Sequence, residues 1–272
     1  MIKHIESQKL TSIATPEGSV RRIIDPSEDK TRLEVSRFEV EPGKSFHANA
    51  SADRTQVVYI LDGKDARVTY NGTTHDAQRR CGVYLEPGEE ATLKAAGSAL
   101  SLLFVSVPKH TGKAVTGTPA GYYFEEAKLR ALIDESRLRT RTFWVNKETG
   151  LSGSWDLQIG RMIYGPKGCS PRHVHMASKT SSITPEHFYF IETGIGEVRH
   201  DSGSIPVGPG SMVLIPAGDW HSLNSSDSGF DYIEFQAPFD FATTMDNDPL
   251  GKNWYILGTD DGTGKLKLWV QS

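Results

Sequence analysis

The sequence predicts an all-β chain built from the same unit twice. Three observations carry this. Short apolar stretches of strand-forming residues recur throughout, each closed by a turn. Pro-Gly pairs at 42–43, 87–88 and 209–210 punctuate them. One pattern of turns and polar residues in the first half reappears in the second. Many short strands with regular turns indicate a sandwich or a barrel.

The elements follow in chain order. In the first half, residues 33–40, 56–61, 66–70 and 99–107 read as strands, and Asn71-Gly72 marks a tight hairpin. Residues 108–120 are rich in Gly, Thr, Pro and Lys and read as a connector. Residues 124–137 form the single helix candidate, because Leu129, Leu132 and Ile133 fall at i, i+3 and i+4. Arg137, Arg139 and Arg141 follow as a basic cluster, read either as a solvated, ion-paired face or as a contact for an anion. In the second half, 155–164, 188–191, 212–215 and 232–236 read as strands. Trp254 and Trp269 suggest that the tail, 246–272, packs back onto the body. The division is 1–110, a connector with one helix at 111–150, and 151–272.

Composition limits the function classes. Hydrophobic residues make up 37% and charged residues 24% of 272, as expected of a globular protein. The net charge of −4 argues against a nucleic-acid binder. No apolar run is long enough to span a membrane, and the first residues lack an apolar signal core, so a cytoplasmic location is expected. Two cysteines, Cys81 and Cys169, do not make a disulfide framework.

The chemistry concentrates between residues 173 and 221. His173 and His175 lie two apart, so a strand points both imidazoles the same way. Glu186 opens an apolar aromatic strand, and His221 follows the turn Pro216-Ala217-Gly218. Three imidazoles and a carboxylate suit Fe, Mn, Ni, Cu or Zn better than Mg or Ca.

At these residues the chain resembles the cupin superfamily. The second cupin motif, G-x5-P-x-G-x2-H-x3-N, matches at Gly210, Pro216, Gly218 and His221, with Asn224 one residue early. The first, G-x5-H-x-H-x(3–4)-E-x6-G, matches more loosely. Gly168 is one residue too near His173, residues 176–185 form a long insertion, and the turn Thr193-Gly194-Ile195-Gly196 is one residue longer. Counting back from Gly194 reaches His187, whereas matching the strand itself favours Glu186, which is preferred because insertions belong in turns. The two alternatives put opposite faces of the strand inward.

The first half carries the same pattern with other residues. Asn49 stands for the second histidine after His47, Gln56 for the carboxylate, and Ala91 or Thr92 for the last histidine.

The resemblance implies two jelly-roll barrels in one chain, a bicupin, packed as a pseudo-dimer and compatible with further homodimerisation. The first barrel has a degenerate site. The second holds one divalent transition metal ion through His173, His175, Glu186 and His221, with Fe or Mn favoured and Ni, Cu or Zn also suitable.

The expected activity is a dioxygenase acting on a small organic substrate. The alternatives are a non-redox isomerase, cyclase or aminohydrolase on a keto or ureido acid, or a barrel that binds a small ligand without turnover. A degenerate first barrel before a metal-bearing second one also resembles the ureidoglycine aminohydrolases.

Glu186, Arg161 and Gln236 are the candidate catalytic residues, with Gln158 and Glu234 as further polar groups. Arg161 and Gln158 are three apart, so a regular strand turns only one of them inward. Phe188, Phe190 and Trp220 suggest an aromatic lining, Arg172 points away from the metal, and the Ser/Thr-rich loop 176–185 is a lid candidate.

Overall fold

The computed structural model describes residues 2–110, 120–146, 155–179, 181, 183–246 and 255–256. The expected packing of Trp254 and Trp269, and most of the connector at 108–120, lie outside these residues. The described residues are mostly strand and contain one short α-helix, Pro26–Asp29, capped by the Asp25 side chain accepting from Ser27 N. No helix among them is long and apolar enough to cross a membrane. Both cysteines are free.

Two compact units emerge. One comprises residues 7–128 and 145–157, the other 1–6, 129–144 and 158–272. Some strands, such as Cys81–Leu85 and Leu100–Pro108, are continuous buried runs, and others form where apolar side chains alternate with polar ones. Ala66–Tyr70 buries Ala66 and Val68 and exposes Arg67 and Thr69. Asn71 and Gly72 both have positive φ, 48° and 73°, and close the expected hairpin onto Thr73–Ala77.

The unit of residues 7–128 and 145–157 contains a seven-stranded and a four-stranded antiparallel sheet. Phe46, Ala48, Val68 and Leu93 from the smaller sheet meet Val58, Ile60, Val83, Leu102 and Phe104 from the larger one in a single apolar core. In Ser45–Asn49 it is Phe46 and Ala48 that face this core, while His47 and Asn49 are exposed. The expected equivalence of His47 and Asn49 with inward ligands therefore fails by one residue of strand alternation.

The other unit is an eleven-stranded antiparallel system. Lys3–Glu6 pairs with Ser211–Ile215, which pairs with the long strand Glu186–His200. That strand lies against His221–Ala237, which continues to Gln158–Tyr164. Register shifts at 191/193 and 194/196 bend the long strand. Gly194 at the bend has φ +79°, and a Cβ there would lie 2.6 Å from Phe230 Cα, so only glycine fits.

Residues 124–137 do not form the expected helix. Tyr122–Glu125 and Ala131–Asp134 are strands, with single 3₁₀ turns at Glu126–Lys128 and Glu135–Arg137. Ala131–Asp134 pairs with Arg139–Val145 across a turn at Leu138, φ 52°. Three apolar residues were too short a stripe to separate helix from strand, and sheet pairing decided. The segment read as a connector thus contributes three strands, Tyr122–Glu125, Ala131–Asp134 and Arg139–Val145.

A three-histidine candidate metal centre

His173 and His175 sit on His173–Ala177, and His173 is directly opposite His221 in the ladder. The turn before His221 is tied to the same strand by Gly218 N donating to His175 O, 3.0 Å. The three side chains can offer ligand nitrogens all within 4.8 Å of one another, the one such group among the described residues.

Their hydrogen bonds set the tautomers. His173 Nδ1 is 2.8 Å from Pro171 O and His221 Nδ1 is 2.9 Å from Asp219 O. A carbonyl only accepts, so both Nδ1 atoms carry the proton. At His175, Nε2 accepts from the Gln236 amide at 3.2 Å, so Nδ1–H donates to Thr243 Oγ1 at 3.0 Å. All three rings therefore leave Nε2 unprotonated, with that of His175 accepting from Gln236 and that of His221 from Tyr189. Ligating histidines are oriented in this way, with the second nitrogen donating to a fixed acceptor. Burial also keeps the rings neutral. It pushes His173 down to about 4 and lowers His175 and His221 well below the usual imidazole range. The donor set fits a divalent transition metal.

His187 comes beside the three histidines, and Glu186 does not. The His187 ring is buried with its centroid 4.4 Å from that of His175. Alternation turns Glu186, half-buried, to the other face. The physical reason is that the strand runs unbroken from 186 to 200 and absorbs its irregularities as bulges, so they do not lie in a turn. His187 Nε2–H donates to Glu234 Oε1 at 2.9 Å, and the other Glu234 oxygen pairs with Arg141. Burial alone would raise the Glu234 carboxyl, but Arg141 and His187 outweigh it and hold it far below the usual carboxylate range. Tyr189 OH donates to His221 Nε2 at 2.9 Å and lies 3.4 Å from His187 Nδ1. Burial, helped by Glu234, raises this phenol well above its ordinary value, so it stays protonated.

Of the other expected residues, Gln236 is at the centre, beside His175. Gln158 supports it by donating to Gln236 Oε1 at 3.1 Å. Arg161 is turned to the opposite face, as the three-residue spacing requires, and pairs with Asp231 and Glu192. That corrects its expected place in the pocket. Phe188 stacks on Phe235 in the core, and Trp220 carries Arg172 over its ring at 4.5 Å. The aromatics that line the cavity are instead tyrosines 164, 189 and 232. Arg172 points away as expected, paired with Asp201 and Asp246.

Sequence reasoning missed Phe241–Met245. This strand pairs with His173–Ala177 and brings Thr243 and Met245 to the cavity wall. Its inward set, Phe241, Thr243 and Met245, is interrupted by a threonine and its outward set includes Ala242, so the five residues give no clean apolar–polar alternation. Ser178, in the lid-candidate loop, donates to Asp240 Oδ1 at 2.6 Å just before this strand.

The antiparallel sheets with three converging histidines have the arrangement of a cupin-type fold with a candidate metal site. A scan against protein-family models finds no match, and no curated protein matches the sequence. Solved structures do match. YlbA from E. coli is 13% identical, with a TM-score of 0.68 over 87% of this chain and 90% of that one. An oxalate decarboxylase from Lactobacillus farciminis, in complex with formate, is 13% identical, with a TM-score of 0.69 over 89% and 88%. Salicylate 1,2-dioxygenase from Pseudoaminobacter salicylatoxidans is 11% identical, with a TM-score of 0.64 over 91% and 86%. These are cupin-type structures, and the likeness shows that this chain has the cupin-type fold.

Proposed function

We propose that the chain is a bicupin enzyme whose C-terminal unit holds one Fe or Mn ion on His173, His175 and His221 and acts as a dioxygenase on a small organic substrate. The observation that carries this reading is the convergence of three neutral imidazoles with ligand nitrogens within 4.8 Å of one another, each ring oriented by a partner on Nδ1. A ligand set of three neutral imidazoles keeps coordination positions open, as catalytic sites require. A divalent ion there would supply Lewis acidity and, for iron or manganese, redox chemistry with dioxygen. The rest falls to the chain. Gln236 presents an amide beside the histidines, Tyr189 presents a phenol, and the tyrosine-rich wall excludes bulk water. The salicylate dioxygenase shares the fold, which supports the reading by analogy.

A second reading, non-redox isomerase, cyclase or hydrolase chemistry, draws on one specific observation. His187, backed by Glu234 and facing Tyr189, forms a buried proton path next to the three histidines. General acid–base catalysis needs such a pair within hydrogen-bond reach. We also propose that the two units form a pseudo-dimer of cupin barrels, the first without a working site, in line with its filled apolar core.

The test is elemental analysis of untagged protein beside His173→Ala, followed by oxygen-electrode screens. About one equivalent of Fe or Mn, lost in the variant, with substrate-dependent oxygen uptake supports the dioxygenase. Turnover without oxygen uptake moves the assignment to the second reading. No metal in the wild type, before or after reconstitution, refutes both.

A further inference from the structure

The chain has five methionines, and four of them, Met162, Met176, Met212 and Met245, fall among the described residues. Met162 and Met212 are buried, at 2% and 0% exposure, and Met176 is 49% exposed. Met245 lies between these limits, half-buried at the end of Phe241–Met245. Its partner across the ladder is His173, and His173 is in turn opposite His221. Residues directly opposite in an antiparallel pair have Cβ atoms about 4.5–5.5 Å apart on one face. The Met245 thioether and the His173 imidazole therefore rise side by side, and both line the cavity. Thr243, two residues earlier on the same face, accepts from His175 Nδ1 at 3.0 Å and ties the strand to the histidines. Met162 also reaches the cavity wall, but its partner on the strand 221–237 is Tyr232.

A thioether is a soft, polarisable group that oxidises to the sulfoxide. With hydrogen peroxide as the oxidant the step balances. The O–O bond breaks, one oxygen bonds to Sδ, the sulfur loses two electrons, and the other oxygen leaves as water with both protons. Bulk peroxide reaches the exposed Met176 first. A redox-active ion on the three histidines would direct the same step to the sulfur beside His173. The product changes the cavity. A sulfoxide is polar where the thioether was apolar. It also adds an oxygen atom to an enclosed space of about 30 Å³, which has room for about two waters at ~10–15 Å³ each.

We propose that Met245 is a site of metal-directed oxidation by peroxide, and that its sulfoxide closes the space beside His173, His175 and His221. The modification is of a kind that reductases reverse, so a site that leaks peroxide would stop itself without permanent loss. The inference rests on the metal reading for its selectivity over Met176, and on the ladder pair His173–Met245 for its position.

The experiment treats the full chain, metal-free, Fe(II)-loaded and Zn(II)-loaded, with limiting hydrogen peroxide. Peptide mass spectrometry reads the sulfoxide at Met245, Met176 and Met162, and bound metal is measured separately. The expected result is Met176 ahead of Met245 in the metal-free and zinc-loaded protein, and a Met245-to-Met176 ratio at least tenfold higher in the iron-loaded protein. An unchanged ratio with about one equivalent of iron bound overturns the inference and leaves the metal reading standing. An unchanged ratio with no iron bound overturns both. Oxidation of Met162 in place of Met245 also overturns the inference, and none of these comparisons needs a variant to fold. Closure is read with nitric oxide, a two-atom probe of the iron, by electron paramagnetic resonance after the peroxide is removed and the iron re-reduced. The oxidised wild type should lose this signal at least tenfold, and Met245→Leu, given the same treatment, should keep it. Equal loss in both proteins overturns the closing role, as does full retention by the oxidised wild type.

Discussion

Acidifying the metal-free protein should unfold it between pH 6.5 and 4, and the size of the effect can be worked from one residue. Burial pushes His173 from the usual 6.5 down to about 4. Unfolded, this imidazole takes its proton below about 6.5; folded, it resists until about 4. Between those values the unfolded state binds more protons, so stability falls as the pH falls. It is fully present above 6.5 and lost on the way down to 4. At ~1.36 kcal/mol per pKa unit, His173 alone contributes about 3 kcal/mol across this window. His175, His187 and His221 shift in the same direction for the same reason, so the total is larger. Glu234 acts further down: Arg141 and His187 hold its carboxylate far below the ordinary range, and its contribution goes only once unfolded glutamates protonate. The assay is urea unfolding of chelator-treated protein at several pH values from 7.5 to 4.5. The wild type should lose several kcal/mol, and His173→Asn should reduce the slope by about one proton, or ~1.4 kcal/mol per pH unit. A flat wild-type profile, or an equal slope in the variant, would refute the claim that buried neutral imidazoles dominate this site.

Further outcomes follow from the same geometry. Glu186→Ala should retain its metal, whereas His221→Ala should lose it, as measured by elemental analysis; metal loss in Glu186→Ala alone would reverse the choice of strand face. Glu234→Ala leaves Arg141 buried without its carboxylate and should cost about 3–5 kcal/mol in chemical denaturation. Gly160→Ala places a Cβ 2.8 Å from Phe143 Cα, within the sheet rather than against a flexible side chain, and should cost at least the ~1–3 kcal/mol typical of overpacking. Removing residues 1–6 uncovers the edge strand Ser211–Ile215, and light scattering should then report self-association beyond that of the full chain.

What could be read from the residues alone was whatever period two and turn chemistry express. Ala66–Tyr70 with Asn71-Gly72 was legible because alternation and an obligatory positive φ point to one answer. His173 and His175 were legible because their spacing matches the pleat. His221 was legible because Pro216-Ala217-Gly218 can only be a turn. The face of Glu186–His200 was not legible. Its inward set is fixed by pairing with His221–Ala237 on one side and Ser211–Ile215 on the other, and its bulges leave no mark in composition. Counting back from Gly194 had pointed to His187, and the general rule that insertions sit in turns outweighed that count. Here the glycine bend lies inside a continuous strand, so the rule misled.

Arg139 and Arg141 show the opposite case, a signal present but open to two readings, of which ion pairing is the one the structure shows. Two arginines two apart are a strand pattern with one charged face, and a charged face is ordinarily solvated. These are buried because Asp134 and Glu234 compensate them, and those partners arrive from sequence distances of 5 and 93 residues. The fold was therefore legible from local chemistry and the three histidines from spacing. The charged half of the cavity wall, Arg141 with Glu234, depends on long-range pairing and becomes visible only when strands 139–145 and 221–237 are assembled around one cavity.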